Sequence, residues 1–134
     1  MSYDPHFTKT VRDWTLESSS YAYYIARSAI DLAYKTANDN AQTEDTAAIV
    51  KTVPYYLATT LREFFTQTSD CAGVTAETHG HLIPTTDVYA DLIQESLKRV
   101  DWSNIAESVI ETNVPDLETG FINWLLMESE GLAD

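Results

Sequence analysis

Apolar residues recur at three- and four-residue intervals along most of the chain, the period of an amphipathic α-helix. Phe7, Val11 and Trp14 mark a first helix begun at Asp4-Pro5, where proline's missing N–H costs nothing in the first turn. Tyr21, Ile25 and Leu32 prolong the same stripe. Ser18-Ser19-Ser20 either caps a second helix or lies inside one long helix, and the pattern leaves both open. From Tyr21 to Lys35 the small residues Ala22, Ala26, Ala29 and Ala33 recur beside Ile25 and Ile30, a face that a neighbouring helix can approach closely. This segment is predicted to be the central helix, ended by Asn38-Asp39-Asn40. A short helix is expected from Glu44 to Lys51, with Thr43, Asp45 and Thr46 as candidate caps. Pro54 restarts the chain with Val53 as the joint, and Tyr55, Leu57, Ala58, Leu61, Phe64 and Phe65 predict an amphipathic helix to Thr68.

Residues 70–84 break the period. They suit a long loop or short hairpin, since Gly73-Val74-Thr75 and His81-Leu82-Ile83 have some strand character. Thr85-Thr86-Asp87 then starts a helix with Val88, Tyr89, Leu92, Ile93, Leu97 and Val100 inward and Asp91, Glu95 and Lys98 outward. Asp101 caps the next, in which Ile105, Ala106, Val109 and Ile110 face the core. Asn113-Val114-Pro115 ends it. A last helix from near Asp116 is expected to turn Leu117, Phe121, Ile122, Trp124, Leu125 and Leu126 inward, with Gly131 as its stop. The four Gly all lie between Gly73 and Gly131, so the first half is nearly free of helix breakers. The predicted fold is all-α, or mostly α: one domain over residues 1–134, a bundle of five to six helices. No repeat of solenoid length is present.

Length and composition agree with one packed core. A chain of 134 residues buries roughly two-thirds of the surface its unfolded form exposes. Three Trp, eight Tyr and four Phe supply large side chains for that core and argue against disorder of the whole chain. No apolar run approaches a membrane span, and Met-Ser-Tyr-Asp-Pro lacks the features of a secretory leader. A soluble, cytoplasmic protein is expected. The single Cys71 forms no internal disulfide, in keeping with a reducing compartment.

Charge changes the picture most. Of the formal net charge of −13, nearly all belongs to Glu63–Asp134, which holds fourteen of twenty-one carboxylate side chains and only Lys98 and Arg99 of the eight Lys and Arg. Met1–Arg62 is close to neutral. Direct binding to nucleic acid or anionic lipid is excluded by repulsion, so a partner chosen electrostatically is cationic. Salt adaptation would acidify both halves alike, and solubility needs a net charge of magnitude only about 2 to 8.

Candidate chemistry is sparse. Glu77-x-His79-x-His81, with Cys71 nearby, is the one dense set of metal-ligand types; in an extended segment its members lie on one side. It lacks the spacing of helical metalloprotease sites and of paired-Cys zinc sites. Neither a Gly-x-Ser-x-Gly elbow nor a phosphate-cradling Gly-rich loop occurs, so no catalytic residue and no cofactor is assigned. The pairs Asp87/Asp91, Asp91/Glu95 and Glu107/Glu111 sit one turn apart on predicted helix faces. Exposed pairs keep nearly ordinary pKa values, which disfavours acid–base catalysis. Tyr21, Tyr23, Tyr24, Tyr55 and Tyr56 are expected to be mostly core and half-core, with a contact surface as the alternative.

The sequence therefore favours a non-catalytic acidic interaction protein. Its candidate partner-binding residues are Asp87, Asp91, Glu95, Glu107, Glu111, Asp116, Glu118, Glu128 and Glu130. Helices in a rigid bundle array carboxylates at spacings of about 6 to 12 Å, comparable with charge along a nucleic-acid strand. The most concrete form is a nucleic-acid mimic that inhibits a DNA- or RNA-binding protein, as small acidic proteins of phages and mobile elements do. Two alternatives stand beside it: a small metal-dependent enzyme or metal-binding protein using Glu77, His79 and His81, and an assembly subunit that forms a homo-oligomer.

Overall fold

The computed structural model describes residues 3–70, 92 and 95–129, with the backbone alone at 66–70. Six helices are present among them, and no strand: α1 (Pro5–Leu16), α2 (Tyr21–Asp39), α3 (Thr46–Val50), α4 (Val53–Asp70), α5 (Trp102–Asn113) and α6 (Leu117–Ser129). The fold is an all-α bundle. The expectations for residues 71–91, Gly131 and the inward set at Val88 and Tyr89 lie outside the described residues.

Side-chain caps set most of the boundaries. The Asp4 carboxylate accepts from the backbone N–H of His6 (2.8 Å) and Phe7 (3.1 Å) to start α1. Ser20 resolves the ambiguity of the serine run. Its Oγ accepts from Tyr23 N (3.1 Å) and donates to Trp14 O (2.5 Å), so it caps α2 while holding the end of α1. Asp45, rather than Thr43 or Thr46, caps α3, and Asp101 caps α5 by accepting from Asn104 N (3.2 Å). Two predicted bounds shift: Val53 is the first residue of α4 rather than a joint outside it, and α4 runs on to Asp70.

Packing is centred on α2, which touches α1, α3, α4, α5 and α6. Its buried face is Ala26, Ala29, Ile30, Ala33, Tyr34 and Ala37, so the predicted small-residue stripe continues one turn further and ends beside a large aromatic. α4 lies along it with Val53, Leu57, Ala58 and Leu61 buried, and α5 packs on α4 and α1 through Trp102, Ile105, Ala106 and Val109. The Phe65 ring stacks on Trp102 at 5.7 Å between centroids. The buried apolar residues form one cluster.

Some predicted faces are wrong. On α1 the fully buried side chains are Thr8 and Thr15, whereas Phe7 and Val11 are half-buried and Trp14 is 58% exposed. Tyr55, assigned inward, is 70% exposed, and Tyr21 and Tyr24 are exposed as well, so the tyrosine cluster is largely surface. Leu32 is exposed on α2. Only Phe121 of α6 is fully buried, with Leu117, Trp124 and Leu125 half-buried and Ile122 and Leu126 facing out.

The contact of α6 with α2 rests on a pair of matched sizes. Tyr34 packs its ring against Phe121 and Trp124, with centroids 5.7 and 6.0 Å away, and its hydroxyl lies against Gly120. A Cβ on Gly120 would meet Tyr34 Oη at 2.6 Å and also collide with Val114 Cγ1. The hydroxyl is buried without a hydrogen-bond partner among the described residues. Burial first, and the neighbouring Asp31 charge second, push its pKa up to about 12.

Gly→Ala inside a helix ordinarily stabilises by roughly 0.5–1 kcal/mol. Here Gly120→Ala is expected to destabilise by about 1–3 kcal/mol, because the added methyl has no room. Tyr34→Phe is expected to leave stability unchanged or raise it by about 1 kcal/mol, since it deletes an unsatisfied buried donor. Chemical denaturation of both variants and the double variant checks this, and the double variant should be less destabilised than the sum of the singles.

The raised phenol pKa fixes the sign of an alkaline effect. Unfolded Tyr34 ionises near pH 10 and the folded residue near 12. The stability of the fold with a neutral Tyr34 phenol is whole below about pH 10 and declines as pH rises through about 12. Spectrophotometric titration should show one late tyrosine, absent in Tyr34→Phe.

Candidate functional site

The acidic half is not one slab. α5 sits between α1 and α4 with its apolar side buried, which leaves Glu107 and Glu111 exposed and one turn apart on its outer side. α6 instead lies against α3 and α2. Between them Asn113 Nδ2 donates to Val109 O (3.0 Å) and Val114 N to Ile110 O (2.7 Å), closing α5 before Pro115 redirects the chain. Asp116 then starts α6. Its carboxylate accepts from Thr119 N (3.2 Å) and Thr119 Oγ1 (2.8 Å), and these bonds hold its pKa below the ordinary carboxylate value. Glu118 is exposed in the first turn of α6, where the positive end of the helix dipole favours an anion.

The neutralising charges are placed elsewhere. The ion pairs among the described residues are Lys9–Asp13 (2.6 Å), Lys35–Asp39 (2.7 Å) and Lys98–Glu95 (3.0 Å), each spanning three or four residues of sequence. Arg12 reaches across to Asn104 Oδ1 at 2.9 Å, and Arg27 lies over the Tyr23 ring at 5.8 Å. From Val100 to the C-terminus the sequence has no Lys, Arg or His. Glu107, Glu111, Asp116 and Glu118 thus form no ion pair among the described residues.

The nine sequence-predicted residues fall into three groups. Those four are exposed and carry net negative charge outward. Glu95 is exposed but paired with Lys98, and Glu128 lies in the field of Lys35, whose pKa is raised chiefly by its hydrogen bond to Asp39 and to a lesser degree by Glu128. Asp87, Asp91 and Glu130 lie outside the described residues, as do Cys71, Glu77, His79 and His81. Among the described residues no group of three metal-ligand types comes together, and no helix is long and apolar enough to cross a membrane.

Sequence reasoning missed one surface feature. Ile122, Leu126 and Met127 are 41%, 55% and 47% exposed on α6. The signal was present in Phe121–Met127, where Asn123 is the one polar residue, so that apolar side chains ring the helix and cannot all be buried by packing on one side.

No protein-family model matches this chain, and no characterised protein or solved structure is significantly similar to it.

The Asp116 cap should be acid-sensitive. A depressed carboxylate pKa means that its contribution is present above the ordinary value of 3.8 and is lost as pH falls below it. Asp116→Ala should fray the start of α6, seen as faster amide exchange at Thr119 and Gly120 near neutral pH. Acidification of the wild type should produce the same change.

Proposed function

We propose that this chain is a non-catalytic interaction protein whose exposed α5 and α6 carboxylates bind a basic protein surface, in its most concrete form as a nucleic-acid mimic that occupies the binding surface of a DNA- or RNA-binding protein. The observation that carries this reading is that Glu107, Glu111, Asp116 and Glu118 are exposed and make no ion pair among the described residues. Like charges held at fixed positions on packed helices repel one another, and that repulsion is relieved when a cationic surface meets them. Glu107 and Glu111 are separated by about 6 Å of helix rise, within the range of charge spacings along a nucleic-acid strand.

The reading is tested by making the same change in net charge at two different places. Glu107→Lys with Glu111→Lys removes two anions from α5. Glu17→Lys with Glu44→Lys makes the same change in net charge on the near-neutral half. In pull-downs from the native host, the wild type should release its partner as salt is raised, and nucleic acid should compete for that partner. The α5 variant should lose the partner by at least about tenfold in affinity, while the control variant keeps it. Equal loss in both would reduce the acidity to a solubility device, and retention by the α5 variant would sink the proposal.

A further inference from the structure

We propose that the outer face of α6 is a docking site for a basic amphipathic helix of a partner protein, a reading that rests on the acidic surface proposed above and names the kind of element it receives. α6 packs on α2 and α3 through Phe121, Trp124, Leu125 and Leu117. On the opposite side Ile122 and Leu126 are exposed, with Met127 about 100° further round beyond the exposed Asn123. Ile122 and Leu126 are one turn apart, the spacing at which a second helix lays its own apolar stripe. Met127 adds an unbranched, polarisable side chain that adapts to the shape of what covers it.

Charge selects the occupant. Glu118 stands one turn before Ile122, so a carboxylate adjoins the exposed apolar pair, while Glu128 lies in the field of Lys35. α5 and α6 contain no cation. A second copy paired through the same face would set one cation-free α6 against another, and a nucleic acid or an anionic membrane would be repelled likewise. A helix with Leu-type residues on one side and Lys or Arg beside them meets both the apolar pair and Glu118. Long-range charge then speeds encounter, and the apolar strip sets residence time.

The experiment uses the full-length chain and a dansyl-labelled peptide of Leu and Lys patterned at the helical period. The comparison peptides are a scrambled version of the same composition and an oligolysine of equal charge. Fluorescence anisotropy should show the patterned peptide binding at least about tenfold more tightly than either control. Leu126→Ser with Met127→Ser should abolish that preference with an unchanged far-UV spectrum. Glu107→Lys with Glu111→Lys should weaken all three peptides alike. Oxidative footprinting of wild-type Met127 supplies a measurement that needs no variant: Met127 should be modified in the free protein and protected by the patterned peptide.

Equal binding of patterned and scrambled peptides would overturn the α6 site while leaving the acidic reading intact. Binding of none of the three at low salt would remove both. Protection of Met127 in the free monomer would show that the chain covers its own face, and a concentration-dependent dimer that loses Met127 reactivity would assign the face to a second copy. Either result overturns the proposal.

Discussion

The bundle depends on the smallness of one helix face. Ala26, Ala29, Ala33 and Ala37 bring almost no volume to the core, so the helices around α2 can approach its backbone and fill the interior with their own larger side chains. Leu57 and Leu61 come from α4 and Phe121 from α6. Alanine also loses no side-chain entropy when buried, which makes α2 an inexpensive surface to order. At the C-terminal end of this face the sizes are exchanged: Tyr34 is large, and Gly120 of α6 is small where the two meet. The position of α6, and hence of the acidic and apolar surface it carries, follows from that exchange.

α1 is held by a different means. Asp4 N donates to Arg99 O (2.7 Å), Asp101 N to Thr8 Oγ1 (3.0 Å), and Arg12 Nη1 to Asn104 Oδ1 (2.9 Å), three polar ties between α1 and the start of α5. The threonines are buried because they serve these contacts and the helix's own carbonyls, with Thr15 Oγ1 donating to Arg12 O at 2.7 Å. A hydrophobic stripe cannot reveal that arrangement. Phe7, Val11 and Trp14 keep helical spacing, yet the face pressed into the protein is centred on hydroxyls, and Trp14 is left outside.

How far the sequence could be read follows the same division. Helix existence was legible because it is local: Asp4, Ser20, Asp45 and Asp101 are short polar side chains placed one residue before helical runs, and each caps. Burial was legible on α5, where one apolar stripe has polar residues opposite. It was not legible on α6, where apolar residues occupy most of the circumference and only the neighbours decide which side is covered. For the candidate surface, the count of carboxylates was plain in the sequence and the pairing of Glu95 with Lys98 was available from their spacing. The field of Glu128 at Lys35 was not, since it joins α6 to α2 across the bundle.

The pattern of charge compensation bears on how the acidity is to be understood. The three ion pairs among the described residues are exposed and bridge residues close in sequence, so each contributes little and none of them fastens one helix to another. The fold is therefore held by burial around α2 and by the polar ties of α1. The carboxylates of Asp4, Asp45, Asp101 and Asp116 cap helices, whereas those of Glu107, Glu111 and Glu118 make no such bond among the described residues. A net charge of −13 costs self-repulsion in such a bundle, and the cost is concentrated where no cation is present in the sequence. An exposed apolar strip on the same helix adds a second unfavourable exposure to water. One cationic, amphipathic partner would relieve both at once, which is why the two features of α6 are better understood together than apart.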